Sequence, residues 1–187
     1  IQVWSLDGDN VHTLAELPLA DSVPIHGVRT GPRHVSWRAS APASLVWLEA
    51  QDGGDWSADV PFRDHMLQHK APFRGDPSVV FQSEHRVSRW WWGENKGQLV
   101  LEQYERSRRW RHVWQVNVDK ETSQAWFDLS TNDRYADPGR PLTRPLASGH
   151  RVLLEEKGAL FFKGSGSSPA GDRPFLDRRP LDAEEPV

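Results

Sequence analysis

The chain has 187 residues, a formal net charge of −3, 14 Gly, 14 Pro and no Cys. That length buries a core of its own and fits one or two domains. The charge argues against non-specific nucleic-acid binding, the missing Cys excludes a disulfide framework and thiolate chemistry, and no run is long and apolar enough to span a bilayer.

In chain order the segments read as short strands separated by turn signals. Ile1–Leu6 and Val11–Leu17 flank the hairpin-type turn Asp7-Gly8-Asp9-Asn10. Ile1 already reads as part of a strand, so the expectation is a piece of something longer. After a Pro- and Gly-broken stretch, His34–Ala39 and Leu45–Gln51 form a second pair. Asp59–Lys70 reads as a strand that Pro61 places at an edge or at its own start. Ser78–Gln82 follows. Val87–Gly93, Gln98–Arg106 and Arg111–Val118 then alternate apolar and polar residues across short polar connections, which predicts an antiparallel meander. Ala125–Leu129, a long turn at Ser130–Pro141, and a hairpin of His150–Glu156 with Ala159–Lys163 around Lys157-Gly158 complete the set. No stretch has the periodicity of an amphipathic helix.

A weak repeat runs through these strands. Leu45-Val46-Trp47-Leu48-Glu49, Leu99-Val100-Leu101-Glu102 and Val152-Leu153-Leu154-Glu155 recur about 53 residues apart, near the period of known propeller repeats. A meander is most of one propeller blade. The expected fold is therefore all-β, a partial β-propeller of about three blades over residues 1–177, with 178–187 a polar, disordered tail. A β-sandwich with accidental similarity is the alternative architecture.

Several clusters invite a chemical reading. Ten Trp, three of them in a row at Trp90-Trp91-Trp92, fit core and inter-blade packing better than a stacking platform for sugars. Arg106, Arg108, Arg109 and Arg111 surround Trp110 at one turn. Such a patch could bind nucleic acid through phosphate and stacking contacts or instead attract an acidic peptide through bidentate pairing, and Arg108 and Arg109 are the candidate substrate-binding residues. The competing account is a solvated turn whose arginines pair with Glu102 and Glu105. His65 and His69 stand four apart, which on a strand separates them by about 13 Å, so they are not expected to share a metal. Asp52, Asp55 and Asp59 around Gly53-Gly54 lack the order of a calcium loop and read as turn residues. No metal or cofactor is expected.

Leu45–Asp55 (LVWLEAQDGGD) resembles the propeller segment of the glutamyl endopeptidase group in the prolyl oligopeptidase family. The resemblance continues in order. It includes Pro24-Ile25 with Val28-Arg29, Pro32-Arg33 with Trp37-Arg38, Pro61-Phe62-Arg63-Asp64, and Tyr104 with Arg108-Arg109. It then takes in Tyr135-Ala136-Asp137-Pro138-Gly139 and the stretch Gly164-Ser165-Gly166, Pro169, Gly171 and Pro174-Phe175-Leu176-Asp177. It implies an N-terminal β-propeller that caps a C-terminal α/β-hydrolase domain with a Ser-Asp-His triad; plant members cut after Glu.

The catalytic half is missing from the pattern. No G-x-S-x-G elbow occurs, and Gly164-Ser165-Gly166-Ser167-Ser168 lacks the required glycines around a central Ser. No catalytic residue is carried over, and the chain alone is not expected to cleave peptides. The expected role is a gating, substrate-admitting domain whose partners are the hydrolase domain of the same parent chain and the parent's peptide substrate, without nucleic acid or membrane. Open blade edges would let the isolated piece self-associate. The alternative is a propeller scaffold that binds protein partners and has no enzymatic parent. The compartment stays open.

Overall fold

A computed structural model describes residues 1–21 and 23–181. Among the described residues there are sixteen strands and no helix, and every pairing is antiparallel. The chain forms two compact units, residues 1–38 with 43–85, and residues 39–42 with everything from Arg86 onward.

The first unit opens with a hairpin of β1 (Gln2–Trp4) and β2 (Asn10–Thr13). A four-stranded meander follows in chain order: β3 (Arg33–Trp37), β4 (Ser44–Ala50), β5 (Asp64–Lys70) and β6 (Ser78–Ser83). β4 is buried from Ser44 to Leu48 because its apolar run is continuous rather than alternating, the pattern of a strand covered on both faces. Leu45 and Trp47 join Val3 in a core flanked by Leu14, Val35, Leu67 and Phe73. Arg33 is buried against Asp64 at 2.5 Å, and the Arg38 guanidinium donates to Gln68 Oε1 at 2.7 Å. Both pairings satisfy charge that would otherwise be costly to bury. β5 decides between the two positions expected of Pro61, against the edge and for the start of the strand, which begins at Asp64 rather than Asp59. It is an interior strand, paired with β4 on one side and β6 on the other, and Pro61 precedes it. Pro61 therefore removes no ladder hydrogen bond.

The second unit contains the predicted meander, with one more strand than its three-strand core: β7 (Arg86–Trp92), β8 (Gln98–Glu105), β9 (Trp110–Asn117) and β10 (Thr122–Ser130). Its three connections are alike. Residues 94–97, 106–109 and 118–121 each close a four-residue loop, and each ends on a left-handed residue: Gly97 (φ 77°), Arg109 (φ 52°) and Glu121 (φ 55°). That final residue turns the chain into the next strand, which is why the three positions recur every twelve residues. Only the first carries the glycine that announces such a turn.

The last sheet is split. β12 (Thr143–Pro145) pairs with β13 (Arg151–Leu153), while β11 (Arg140–Pro141) and β14 (Glu155–Glu156) pair with successive parts of one edge of β15 (Ala159–Gly164). Leu154 breaks the predicted strand over His150–Glu156 into β13 and β14, and its amide bonds to Leu142 O at 2.9 Å. β16 (Phe175–Pro180) pairs with β15 over six residues. This strand overturns the boundary expected at Asp177: regular structure continues to Pro180, because the ladder to β15 holds a sequence that reads as a polar Pro-rich tail. Residues 182–187 of the expected tail lie outside the described residues. Between the two sheets Val100, Val113, Trp126, Phe127 and Leu129 meet Leu153, Leu160 and Phe162 in the unit's core, with Trp91 against it.

Candidate functional site

The predicted arginine turn sits at the β8–β9 connection. The alternation of β8 and β9 sorts its charged residues onto two faces of the sheet. On the face that carries Val100 and Val113, Arg111 pairs with Glu102 at 3.6 Å and with Asp137 of the long turn at 2.9 Å. On the other face His112 lies between Glu105 (3.3 Å) and Asp128 (3.2 Å), and Trp110 Nε1 donates to Asp128. Arg108 reaches back to Glu105 at 3.2 Å and rests over the Trp110 ring, 4.6 Å from its centre. The ion pairs expected with Glu102 and Glu105 are thus formed, and they engage Arg108 and Arg111. Arg109 differs. Its carbonyl accepts from the amide and hydroxyl of Thr131 at 2.9 and 2.8 Å, while its exposed guanidinium has no partner among the described residues. The turn therefore brings Arg108 and Arg109 together but leaves only Arg109 with its full charge open to an anionic partner. Sequence reasoning missed Asp128 and Asp137, because both lie far along the chain from the turn.

Other sequence candidates fall elsewhere. His65 bonds across the strand pair to Gln82 at 3.2 Å. His69 is buried beside His12 and Phe73, with ring centres 5.1 and 5.5 Å away. The two predicted histidines thus belong to separate environments. Asp52 and Asp55 do turn chemistry: Asp52 accepts from the Gly54 amide at 3.0 Å and pairs with Arg63, and Asp55 accepts from the amide and hydroxyl of Ser57. Those Ser57 bonds hold the Asp55 carboxyl below its usual range. Trp47, Trp92 and Trp126 are buried and Trp91 packs on the second core, so these rings serve packing.

A crevice of about 470 Å³ opens at the far end of the β8–β10 sheet from the arginine turn. Gln98, Asn117 and Thr122 form one cross-strand row there, and Val100, Gln115 and Gln124 the next. Asn95 and Glu155 close it, with Asn95 Nδ2 3.4 Å from the Glu155 carboxylate. Sequence reading gave no sign of it, because amides scattered over three strands and a turn make no linear motif.

The chain is 35% identical over 188 residues to a probable chloroplastic glutamyl endopeptidase of Oryza sativa subsp. japonica, and 35% identical over 189 residues to the protein of that name in Arabidopsis thaliana. Each match takes in 95% of this chain and 20% of the relative, so the chain spans about a fifth of the length of these curated relatives. No protein-family profile matches the sequence, and no solved structure matches the fold.

Proposed function

We propose that this chain is part of the non-catalytic β-propeller of a serine peptidase of the prolyl oligopeptidase family, a domain that admits short peptides to the active site of a hydrolase domain in the same parent chain. The observation that carries this reading is the 35% identity, sustained over 95% of the chain, to proteins named as probable glutamyl endopeptidases. The architecture supports it. Four-stranded antiparallel meanders follow one another in chain order, each too thin to cover both its faces, which is how propeller blades are built. A cap of this kind excludes folded proteins by size and keeps the catalytic cleft dry.

In this reading the parent hydrolyses peptide bonds of oligopeptides, after Glu as its relatives' name suggests, and Arg109, with Arg108 behind it, draws the acidic substrate inward. An arginine kept in a left-handed conformation that suits glycine is consistent with a role for its side chain. The test is a cleavage assay of the parent on a short Glu-containing peptide and on the same sequence inside a folded protein. Cleavage of the peptide alone supports gating; equal rates on both refute it. Arg108→Ala with Arg109→Ala should lower kcat/KM on acidic peptides and leave neutral ones unaffected. An unchanged rate on acidic peptides removes the arginines from the account. Open blade edges also predict that the isolated chain self-associates, and a monodisperse monomer by light scattering counts against a partial propeller.

A further inference from the structure

The crevice at the amide end of the β8–β10 sheet has a chemistry that the arginine turn lacks. Its walls carry the carboxamides of Asn95, Gln98, Gln115, Asn117 and Gln124, and the carboxylate of Glu155. Among the described residues no cationic side chain lines it, so they offer nothing to neutralise a phosphate or a carboxylate ligand. No aromatic ring among the described residues lines it, so they give a nucleobase no stacking surface. Among the described residues a single carboxylate lines it, too few for a calcium or magnesium ion. Gln115 adds a demand of its own. Its Nε2 is shielded from solvent and has no hydrogen-bond partner among the described residues. A buried donor without an acceptor costs about 1–3 kcal/mol, and a turn of the Gln115 carboxamide toward the crevice would let a ligand carbonyl recover it.

We propose that this crevice binds an extended peptide bearing a lysine or arginine side chain. Backbone carbonyls of the peptide accept from Gln115 and its neighbouring amides, backbone amides donate to the carboxamide oxygens, and the cationic side chain pairs with Glu155. The volume falls in the range of ordinary small-ligand sites. The inference stands on the crevice alone and does not require the peptidase reading. It also gives the domain two opposed preferences, an anionic partner at Arg109 and a cationic one at Glu155, at opposite ends of one sheet.

The test uses the 187-residue chain and two fluorescently labelled, end-blocked alanine pentapeptides, one with lysine at its centre and one with glutamate. Anisotropy titrations should show the lysine peptide binding at least about tenfold more tightly than its twin. Glu155→Gln, which keeps the side-chain shape, should weaken the lysine peptide about tenfold, and Gln115→Ala should weaken both peptides severalfold. Equal affinity for the two peptides, no binding of the lysine peptide at millimolar concentration, or full affinity in both variants would each overturn the proposal.

Discussion

Trp126→Ala tests whether the second unit is held by the core between its two sheets. Trp126 is only 2% exposed. It stacks on Phe127 with centres 4.6 Å apart and planes 27° apart, and it meets Phe162 of β15 edge-on at 5.3 Å. Truncation removes the transfer free energy of a large ring, leaves a cavity that Val100 and Leu160 can only partly fill, and strips both ring contacts. Truncations of this kind cost about 3–5 kcal/mol, of which the aromatic geometry supplies roughly 0.5–1.5 per pair. Against a domain stability of about 5–15 kcal/mol, that is from about a fifth of the whole to all of it. Urea denaturation followed by far-ultraviolet circular dichroism reads the loss as a lowered midpoint at unchanged slope. Trp4→Ala is the control, since Trp4 is 57% exposed on the β1–β2 hairpin and should cost less than about 1 kcal/mol. Equal losses for the two variants, or a loss under about 1 kcal/mol for Trp126→Ala, would refute this placement of the core.

Three further outcomes follow from local geometry. Gly97 and Gly158 share a positive φ, but a Cβ on Gly97 would lie 2.4 Å from Asn117 Oδ1 while one on Gly158 meets open space. Gly97→Ala should therefore cost about 2–3 kcal/mol and Gly158→Ala about 1, and matching losses in thermal or urea melts would contradict the close approach. Arg109→Gly should raise stability by about 1 kcal/mol by relieving the left-handed residue, and a destabilised variant would show that its side chain carries contacts the structure lacks. Burial chiefly, and the nearby His69 after it, hold the His12 ring below its ordinary value of 6.5. The unfolded chain then takes up this proton more readily, so the contribution is complete above pH 6.5 and declines as the pH falls toward the lowered folded value. The difference in Tm between wild type and His12→Asn should shrink on acidification, and a difference constant across that range would refute the assignment.

Strand identity was legible because alternation and turn chemistry agreed over most of the chain. Trp90-Trp91-Trp92 divides as the two-residue period requires, with Trp91 on the core side opposite Val100. What escaped was decided by partners distant in sequence. β5 is interior because both β4 and β6 pair with it, which no local feature of Asp64–Lys70 declares. β16 forms because β15 offers it an edge, although Arg178-Arg179-Pro180 reads locally as tail. The left-handed positions at Arg109 and Glu121 were invisible because neither is glycine. At the candidate site the turn and its arginines could be read directly, and so could their nearest carboxylates. Asp128, Asp137 and the amide crevice could not, since each depends on how three strands and a long turn align.

The central claim is that the chain belongs to the cap of a peptidase, and the reading frame of its gene beyond Val187 tests it most directly. The account predicts further strand repeats, then a G-x-S-x-G elbow followed in order by an Asp and a His in hydrolase context. A frame that closes, or that runs on without an elbow, would contradict the peptidase reading and leave a β-scaffold that binds protein partners.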